Sequence, residues 1–286
     1  MTRLRQRMLD DLRRRNYSPD TIRGYIRAVQ QFAEYFGRSP EQMGAEELRR
    51  YQIHLLHERK LALGTVENCI SALRFLYRKT LKRRDLAFDD LPFPKQPRTL
   101  PTVLSQDEVT RLIEAAPNRM HRMLLMLLYA TGMRRTEASL LKVSDIDSQR
   151  MVIHIQRGKG LRDRDVPLTP RLLEALRDYW RWKKPRVYLF PSRVGDRNVE
   201  RPISGKTVWS ACRAAAIRAD IPKKLHPHTL RHCFATHLLD TIQLLMGHER
   251  LEDTTIYLHL SQRHLHAAIN PLDQLTLRTT QEEQQG

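Results

Sequence analysis

The chain has 286 residues, 41% hydrophobic and 29% charged, which indicates a globular protein of about two domains and excludes a largely disordered chain. Lysine and arginine number 50 against 32 aspartates and glutamates, for a formal net charge of +18. This excess favours a polyanionic partner, nucleic acid before an anionic membrane. The sequence shows no apolar stretch long enough to span a bilayer and no apolar signal-peptide core. We therefore expect a cytoplasmic protein without a membrane partner.

The first segment has the pattern of a helical domain. Ser18 before Pro19 is a typical helix start, and Gly37 is a typical helix end. Two more helices are predicted over residues 46–59 and 63–81. Apolar residues at helical spacing in the first helix predict a core-facing stripe: Ile22, Tyr25, Val29, Phe32 and Phe36.

The helix predicted over residues 63–81 has one apolar face and one basic face. A basic face is commonly only solvated, but in a chain of charge +18 we interpret it as a surface that contacts DNA phosphates. Its DNA-binding residues are Arg74, Arg78, Lys79 and Lys82.

Residues 91–101, LPFPKQPRTLP, carry four prolines and resist both helix and central strand. They predict a linker over residues 91–102 between a helical domain, 1–90, and a second domain, 103–286. The three cysteines are scattered, odd in number and not in CxxC spacing, so we expect buried free thiols in a reducing compartment: Cys69, Cys212 and Cys233.

The second domain opens with a capping box, Ser105 to Glu108, followed by a helix to about residue 115. A very apolar helix over 119–130 predicts a buried core element, and a short helix over 134–140 follows. Alternating apolar residues then predict two strands, over 151–156 and 164–168, and the glycines predict a turn between them at 157–160. Helices resume near Thr169, Ser204 and His228. The fold class is therefore mainly α with a small antiparallel β-sheet (α+β).

Five short patterns follow one another in this domain: GMRRTE at 132–137, GKG at 158–160, HTLRH at 228–232, LMGH at 245–248 and TTIY at 254–257. In this order they resemble the tyrosine recombinase family, the phage-integrase-like proteins that include Xer-type recombinases and mobile-element integrases. The resemblance extends over nearly the whole chain, since the N-terminal helices are similar to that family's core-binding domain.

The resemblance implies that Tyr257 attacks a DNA phosphate and forms a 3′-phosphotyrosyl intermediate without metal or cofactor. Such chemistry needs cations around the phosphate, and arginine forks match its oxygens. The remaining implied roles are a phosphate clamp by Arg134 and Arg231, a proton donor in Lys159, acid–base work by His228, phosphate support by His248, and orientation of the first arginine by Glu137.

Each residue also has a plainer interpretation. Arg134 and Lys159 are of types that commonly sit solvated at a surface, and an isolated tyrosine such as Tyr257 usually packs in a core. His226, His228 and His232 raise the question of a metal site, but no carboxylate or other suitable partner lies at helpful spacing apart from Cys233. We expect no metal, because the five patterns together outweigh these alternatives.

The implied partner is a double-stranded DNA recombination site bound by a homotetramer, for integration, excision or transposition of a mobile element. The tail from Gln262 onwards is expected to dock on a neighbouring protomer through Leu265, Ala268, Ile269 and Leu272. A binding-only protein and a type IB topoisomerase, which works as a monomer, are the alternatives.

One segment departs from the family pattern. Between HTLRH and LMGH the chain has no glycine or proline, and helical spacing continues throughout. A continuous helix would separate Arg231 from His248 by about 25 Å, too far to share one phosphate. Either the chain bends at Asp240–Thr241, or His248 and Tyr257 are displaced, which would leave a catalytically impaired DNA-binding relative.

Overall fold

The computed structural model describes residues 2–83, 91–95, 101–156, 163–192, 200–246 and 270–277, with side chains left out at 240–246. The chain divides into two compact units, Met1–Thr99 and Leu100–Gly286, and the division lies inside the stretch predicted as a linker. Across the described ranges, no helix is long and apolar enough to cross a membrane.

The described part of the N-terminal unit contains four α-helices: α1 (Arg3–Arg14), α2 (Pro19–Phe36), α3 (Ala45–Ile53) and α4 (Leu63–Phe75). Helix α2 begins as predicted, because the Ser18 hydroxyl accepts a hydrogen bond from the Thr21 backbone N–H at 3.2 Å. It ends at Gly37, which adopts a φ of 62°. A π-helical turn continues each of the last two helices, at His54–Glu58 after α3 and at Leu76–Thr80 after α4.

The core of this unit contains the aromatic stripe of α2, as predicted. Phe32 is fully buried and meets the ring of Tyr51 edge-on, with centroids 5.1 Å apart. The Tyr77 hydroxyl is buried with it and donates to the Pro40 carbonyl at 2.8 Å. The stripe therefore stabilises the unit and is not a base-stacking surface.

Residues 91–93 pack on the N-terminal unit, which therefore extends past residue 90, where the sequence-based prediction ended it. Leu91 is 1% exposed, and its carbonyl accepts hydrogen bonds from Arg74 Nε at 3.2 Å and Nη2 at 2.6 Å. The same guanidinium lies over the ring of Phe93, 4.4 Å from its centroid.

Six helices, counted over the described residues, form the framework of the C-terminal unit: α5 (Gln106–Glu114), α6 (Arg119–Thr131), α7 (Arg135–Leu140), α8 (Pro170–Lys183), α9 (Gly205–Arg218) and α10 (Pro227–Met246). The apolar helix α6 is central, as predicted, and is buried against α8, α9 and α10. The capping box of α5 is confirmed, because Ser105 and Glu108 exchange backbone-to-side-chain hydrogen bonds at 2.8 and 3.2 Å.

The described sheet has three antiparallel strands in the order β1 (Ile146–Asp147), β2 (Val152–Ile155) and β3 (Arg164–Pro167). Ile153 pairs with Val166, and Ile155 pairs with Arg164. The predicted hairpin strands are thus confirmed with slightly shorter bounds, and β1 adds an edge that the alternation did not predict. The predicted turn at 157–160 lies outside the described residues.

Helix α10 is continuous from Pro227 to Met246. The bend proposed at Asp240–Thr241 is therefore wrong, because the backbone there keeps its helical hydrogen-bonding pattern. From Arg231 to Met246 the axis rises about 22 Å at 1.5 Å per residue.

The segment after residue 269 packs on its own C-terminal unit. A 3-10 turn, Pro271–Gln274, packs against α6 and α10 and buries Leu272 completely in the core of the unit. The Arg171 guanidinium donates to the Leu272 carbonyl at 2.8 Å, and the Asn270 amide donates to the Ala130 carbonyl at 2.8 Å. Leu272 is therefore not available to dock on a neighbour, contrary to expectation, while Leu265, Ala268 and Ile269 lie outside the described residues.

All three cysteines are buried and free, as predicted. Cys233 on α10 has the clearest structural role, because its sulfur accepts a hydrogen bond from the Leu104 backbone N–H at 3.2 Å.

Candidate active site

The loop between α6 and α7 carries Arg134 and is fixed against α10. Gly132 ends α6 with a φ of +56°, a backbone conformation that side chains rarely adopt. A Cβ at this position would also overlap the ring of Phe234 on α10. Arg231, one helical turn before Phe234, donates through Nη1 to the Gly132 carbonyl. The loop and the start of α10 thus hold each other in place.

Gly132→Ala is expected to destabilise the chain by about 2–4 kcal/mol, because backbone strain and overlap with Phe234 add together. Gly37→Ala is the matched control: its φ is similar, at +62°, but nothing lies within 4 Å of a Cβ there. It should cost only about 1 kcal/mol. Urea unfolding of both variants measures the difference, and equal losses of stability would contradict the role of the Phe234 ring.

Glu137 joins two arginines from different elements. Its carboxylate accepts from the Arg134 backbone N–H at 2.7 Å and from Arg134 Nη1 at 2.9 Å. It also accepts from both terminal nitrogens of Arg164, at 2.9 and 2.7 Å. The Glu137 side chain is only 6% exposed, so these bonds are shielded from water. The first turn of α7 and the start of β3 are therefore held together by one buried carboxylate.

Burial by itself would raise the pKa of Glu137, but hydrogen bonds from Arg164 and Arg134 outweigh it and lower the pKa from 4.5 to about 2. A carboxyl group whose pKa is lower in the folded state than in the unfolded state stabilises the fold at any pH above its unfolded-state pKa. It loses that contribution as the pH falls through its folded-state pKa. At neutral pH this amounts to about 3 kcal/mol.

The pH dependence of stability therefore tests this site. Wild type should exceed Glu137→Gln in unfolding free energy at pH 7, and the gap should shrink as pH falls from about 5 to 2. Urea titrations across this range measure the gap, with the exposed Glu174→Gln on α8 as control. A gap that stays constant with pH would show that the Glu137 charge does not stabilise the fold.

The N-terminal end of α10 adds a histidine and another arginine. The pKa of Arg231 is lowered, first by burial and then by the positive charges of Arg134 and Arg164. The pKa of His228 is lowered below its ordinary value by burial, then by His226 and Arg135, so at neutral pH the ring is neutral and able to accept a proton. His228 and Arg231 are three residues apart and share a face of α10.

These arginines give the site a net positive charge, since one carboxylate faces three guanidinium groups. Such a cluster suits a phosphodiester, whose oxygens accept from arginine forks. Among the described residues no group of three or more His, Cys, Asp or Glu side chains could hold a metal ion.

The structure brings together only part of the predicted catalytic set. Arg134, Glu137, His228 and Arg231 meet where the α6–α7 loop faces the start of α10. The other three, Lys159, His248 and Tyr257, lie outside the described residues.

Sequence reasoning missed Arg164. A signal for it was available. Arg164 lies on the same face of β3 as Val166, which packs against the core, so it places a charge where an apolar side chain is expected.

The residues predicted to contact DNA on the N-terminal unit differ in their exposure. Arg74 is half-buried, donates to the Leu91 carbonyl and lies over the Phe93 ring, so it helps to hold residues 91–93. Its contact with DNA stays a prediction. Arg78, Lys79 and Lys82 are exposed, at the end of α4 and its π-helical turn.

Comparison with known proteins covers both units. Residues 102–264 match the family model of the phage integrase family, and residues 4–85 match that of the phage integrase N-terminal SAM-like domain. A putative integrase/recombinase of Sinorhizobium fredii is 44% identical over 281 residues, which covers 96% of this chain and 90% of that protein. The tyrosine recombinase XerA of Pyrococcus horikoshii is 31% identical over 259 residues, 88% of this chain and 87% of that protein.

Solved structures share the fold. A lambda integrase fragment, crystallised as a dimer bound to a core site, has a TM-score of 0.67 at 19% identity and covers 87% of this chain and 94% of its own. The XerH recombinase bound to its difH substrate has a TM-score of 0.60 at 22% identity and covers 88% of this chain and 80% of its own. At these identities the likeness extends to the fold alone.

Proposed function

The chain belongs to the phage integrase family of tyrosine recombinases, which are DNA strand-transferring enzymes acting in site-specific recombination, and from this premise we propose how it cuts DNA. The Tyr257 hydroxyl attacks a scissile phosphate. A bond forms between the tyrosine oxygen and phosphorus while the bond from phosphorus to the 5′ oxygen breaks. The products are a 3′-phosphotyrosyl link and a free 5′ hydroxyl. The phosphodiester energy is kept, so rejoining needs only attack by a 5′ hydroxyl.

The observation that carries this proposal is the fixed arginine pair. Arg134 is held by Glu137, and Arg231 is held by the Gly132 carbonyl, so both guanidinium groups are oriented before a phosphate arrives. Donors that are already in place stabilise the charge that develops on the non-bridging oxygens without reorganising during the reaction.

The proton transfers are assigned to the remaining predicted residues. His228 takes the proton from the Tyr257 hydroxyl, a role that follows from the family motif. Burial lowers the pKa of His228, so its ring is neutral at neutral pH and has a nitrogen available to accept that proton. Lys159 donates a proton to the leaving 5′ oxygen, and His248 supports the phosphate by hydrogen bonding. The two last roles follow from the family motif.

The biological task proposed is integration, excision or transposition of a mobile element in the cytoplasm. It is supported by the Sinorhizobium fredii relative, which is named a putative integrase/recombinase. The proposed partner is a double-stranded recombination site bound by a homotetramer, and no cofactor or metal takes part. The XerH and lambda integrase neighbours are DNA complexes of those proteins.

The alternative is a DNA-binding relative that cuts poorly or not at all. One observation favours it: α10 continues through Asp240–Thr241 as one helix and rises about 22 Å between Arg231 and Met246. A helix that leads away from the arginine pair makes it harder for residues after Met246 to reach the phosphate in the same chain.

One experiment separates the two. A binding site is first selected from random duplex DNA, then nicked beside each candidate phosphate so that the cut fragment diffuses away and traps the covalent product. An SDS-resistant protein–DNA adduct, mapped by mass spectrometry to one of the nine tyrosines, supports the proposal if the residue is Tyr257. Tight binding without an adduct supports the alternative. Relaxation of plasmids that lack the selected site would indicate a topoisomerase instead.

The exposed basic residues of the N-terminal unit are proposed to bind DNA phosphates. Replacing Arg78, Lys79 and Lys82 by glutamine should lower the salt dependence of binding, with the slope of log K against log salt falling by roughly 0.9 for each phosphate that the protein no longer neutralises. Fluorescence anisotropy at salt concentrations from about 50 to about 300 mM measures the slope. A control variant removes the same charge from exposed residues of α1, namely Arg3, Arg5 and Arg14. Equal slopes in the two variants would contradict the assignment.

A further inference from the structure

Arg164 is the first residue of β3, five residues after Lys159 along the chain. Both of its terminal nitrogens donate to Glu137, one to each carboxylate oxygen, at 2.9 and 2.7 Å. Its side chain is 28% exposed and that of Glu137 only 6%. A paired fork of this kind fixes distance and orientation together, which a single hydrogen bond does not.

Glu137 uses the same two oxygens to hold Arg134, at 2.7 Å from the backbone N–H and 2.9 Å from Nη1. One carboxylate thus connects the proposed phosphate clamp to the β2–β3 hairpin. The connection spans 27 residues of sequence, between α7 and β3. Movement of β3 relative to Arg134 would break at least one charged hydrogen bond in a site shielded from water, at considerable cost.

We propose that Arg164 is a positioning residue: by binding Glu137 it fixes the base of the β2–β3 hairpin to Arg134, so that Lys159 is delivered to the phosphate that Arg134 holds. The inference rests on the proposed function, because it assigns Arg164 a task within the cleavage step. Arg164 is assigned no contact with the DNA, because both of its terminal nitrogens already donate to Glu137.

A competing role is purely electrostatic, because the Arg164 charge also acts on Arg231. Arg164→Lys distinguishes the two roles. Lysine keeps the charge but offers one compact ammonium group in place of a planar fork. If charge alone matters, Arg164→Lys should cleave nearly as well as wild type; if the fork fixes the hairpin, it should not.

The decisive test changes the leaving group. DNA in which sulfur replaces the bridging 5′ oxygen of the scissile phosphate releases a thiolate, which needs no proton because thiols have a pKa of about 8.5. Loss of the Lys159 proton donor should therefore harm cleavage of ordinary DNA only. We expect Arg164→Lys to slow adduct formation about 100-fold on ordinary DNA, the low end of general-acid effects, and to fall within a few-fold of wild type on the sulfur substrate.

Lys159→Ala is the positive control and should show the same rescue. Arg150→Ala changes an exposed arginine before β2, 4.0 Å from Asp165, and is the matched negative control. Equal losses of Arg164→Lys on both substrates would overturn the positioning role, as would activity close to wild type on both. If wild type forms no adduct with either substrate, the proposed function itself fails, a result distinct from these. Arg164→Ala and Arg164→Lys are both compared with wild type in thermal unfolding, and whichever variant folds is assayed.

Discussion

Tyr257→Phe is expected to abolish the covalent protein–DNA adduct. The DNA affinity should stay within about 3-fold of wild type, because loss of one hydrogen bond to DNA would change the binding free energy by about 0.6 kcal/mol. The phenyl ring keeps the shape of the side chain but lacks the oxygen that attacks phosphorus, so no intermediate can form. The trapping assay on the selected, nicked site measures the adduct, and anisotropy measures the affinity.

Tyr35→Phe is the control for this experiment, because it removes the same hydroxyl from an exposed tyrosine of α2. It should form the adduct as wild type does. An adduct that survives in Tyr257→Phe would place the nucleophile at another residue and overturn the assignment made from the TTIY pattern.

Arg231→Ala is expected to slow adduct formation by about 100- to 1,000-fold, the range measured for removal of one fixed donor to a developing anion. Arg231 is half-buried and held by the Gly132 carbonyl, and its guanidinium shares the site with Arg134. Because its hydrogen bonds to phosphate strengthen in the transition state, the loss should appear mainly in the single-turnover rate and only weakly in the dissociation constant.

Two comparisons sharpen this prediction. Arg231→Lys should recover little of the rate, since one ammonium does not reproduce the two-nitrogen fork that binds phosphate oxygens. Arg177→Ala, an exposed arginine of α8, should cleave like wild type. A weaker affinity with an unchanged cleavage rate in Arg231→Ala would show that Arg231 serves DNA binding and not the chemical step.

The sequence predicted most helix starts correctly because each depends on neighbours only a few residues apart. Ser18 caps α2 and Ser105 caps α5 through bonds to residues three positions away. The same locality explains α10: helical spacing predicted one continuous helix, and the bend at Asp240–Thr241, suggested by comparison with the family, is not formed. Local pattern was the better guide where the two disagreed.

The site was only partly predictable. The motifs that resemble the tyrosine recombinase family indicated Arg134, Glu137, His228 and Arg231, and the catalytic roles of these residues stay predictions. The basic face predicted over residues 63–81 gave no indication that Arg74 donates to the Leu91 carbonyl, although Arg74 was placed on the same face as Arg78. Whether a basic side chain binds another part of its own chain depends on which carbonyls and rings the tertiary fold places beside it.

By itself, the sequence determined the class of fold and the positive charge that favours DNA, and it predicted two domains and a set of catalytic residues. Only the tertiary structure decided that Arg164 is bound to Glu137 and that Leu272 is buried in its own unit. The physical reason is that these interactions join residues 27 or more positions apart. Their strength comes from burial around the pair after the chain has folded, which no periodicity or spacing in the sequence encodes.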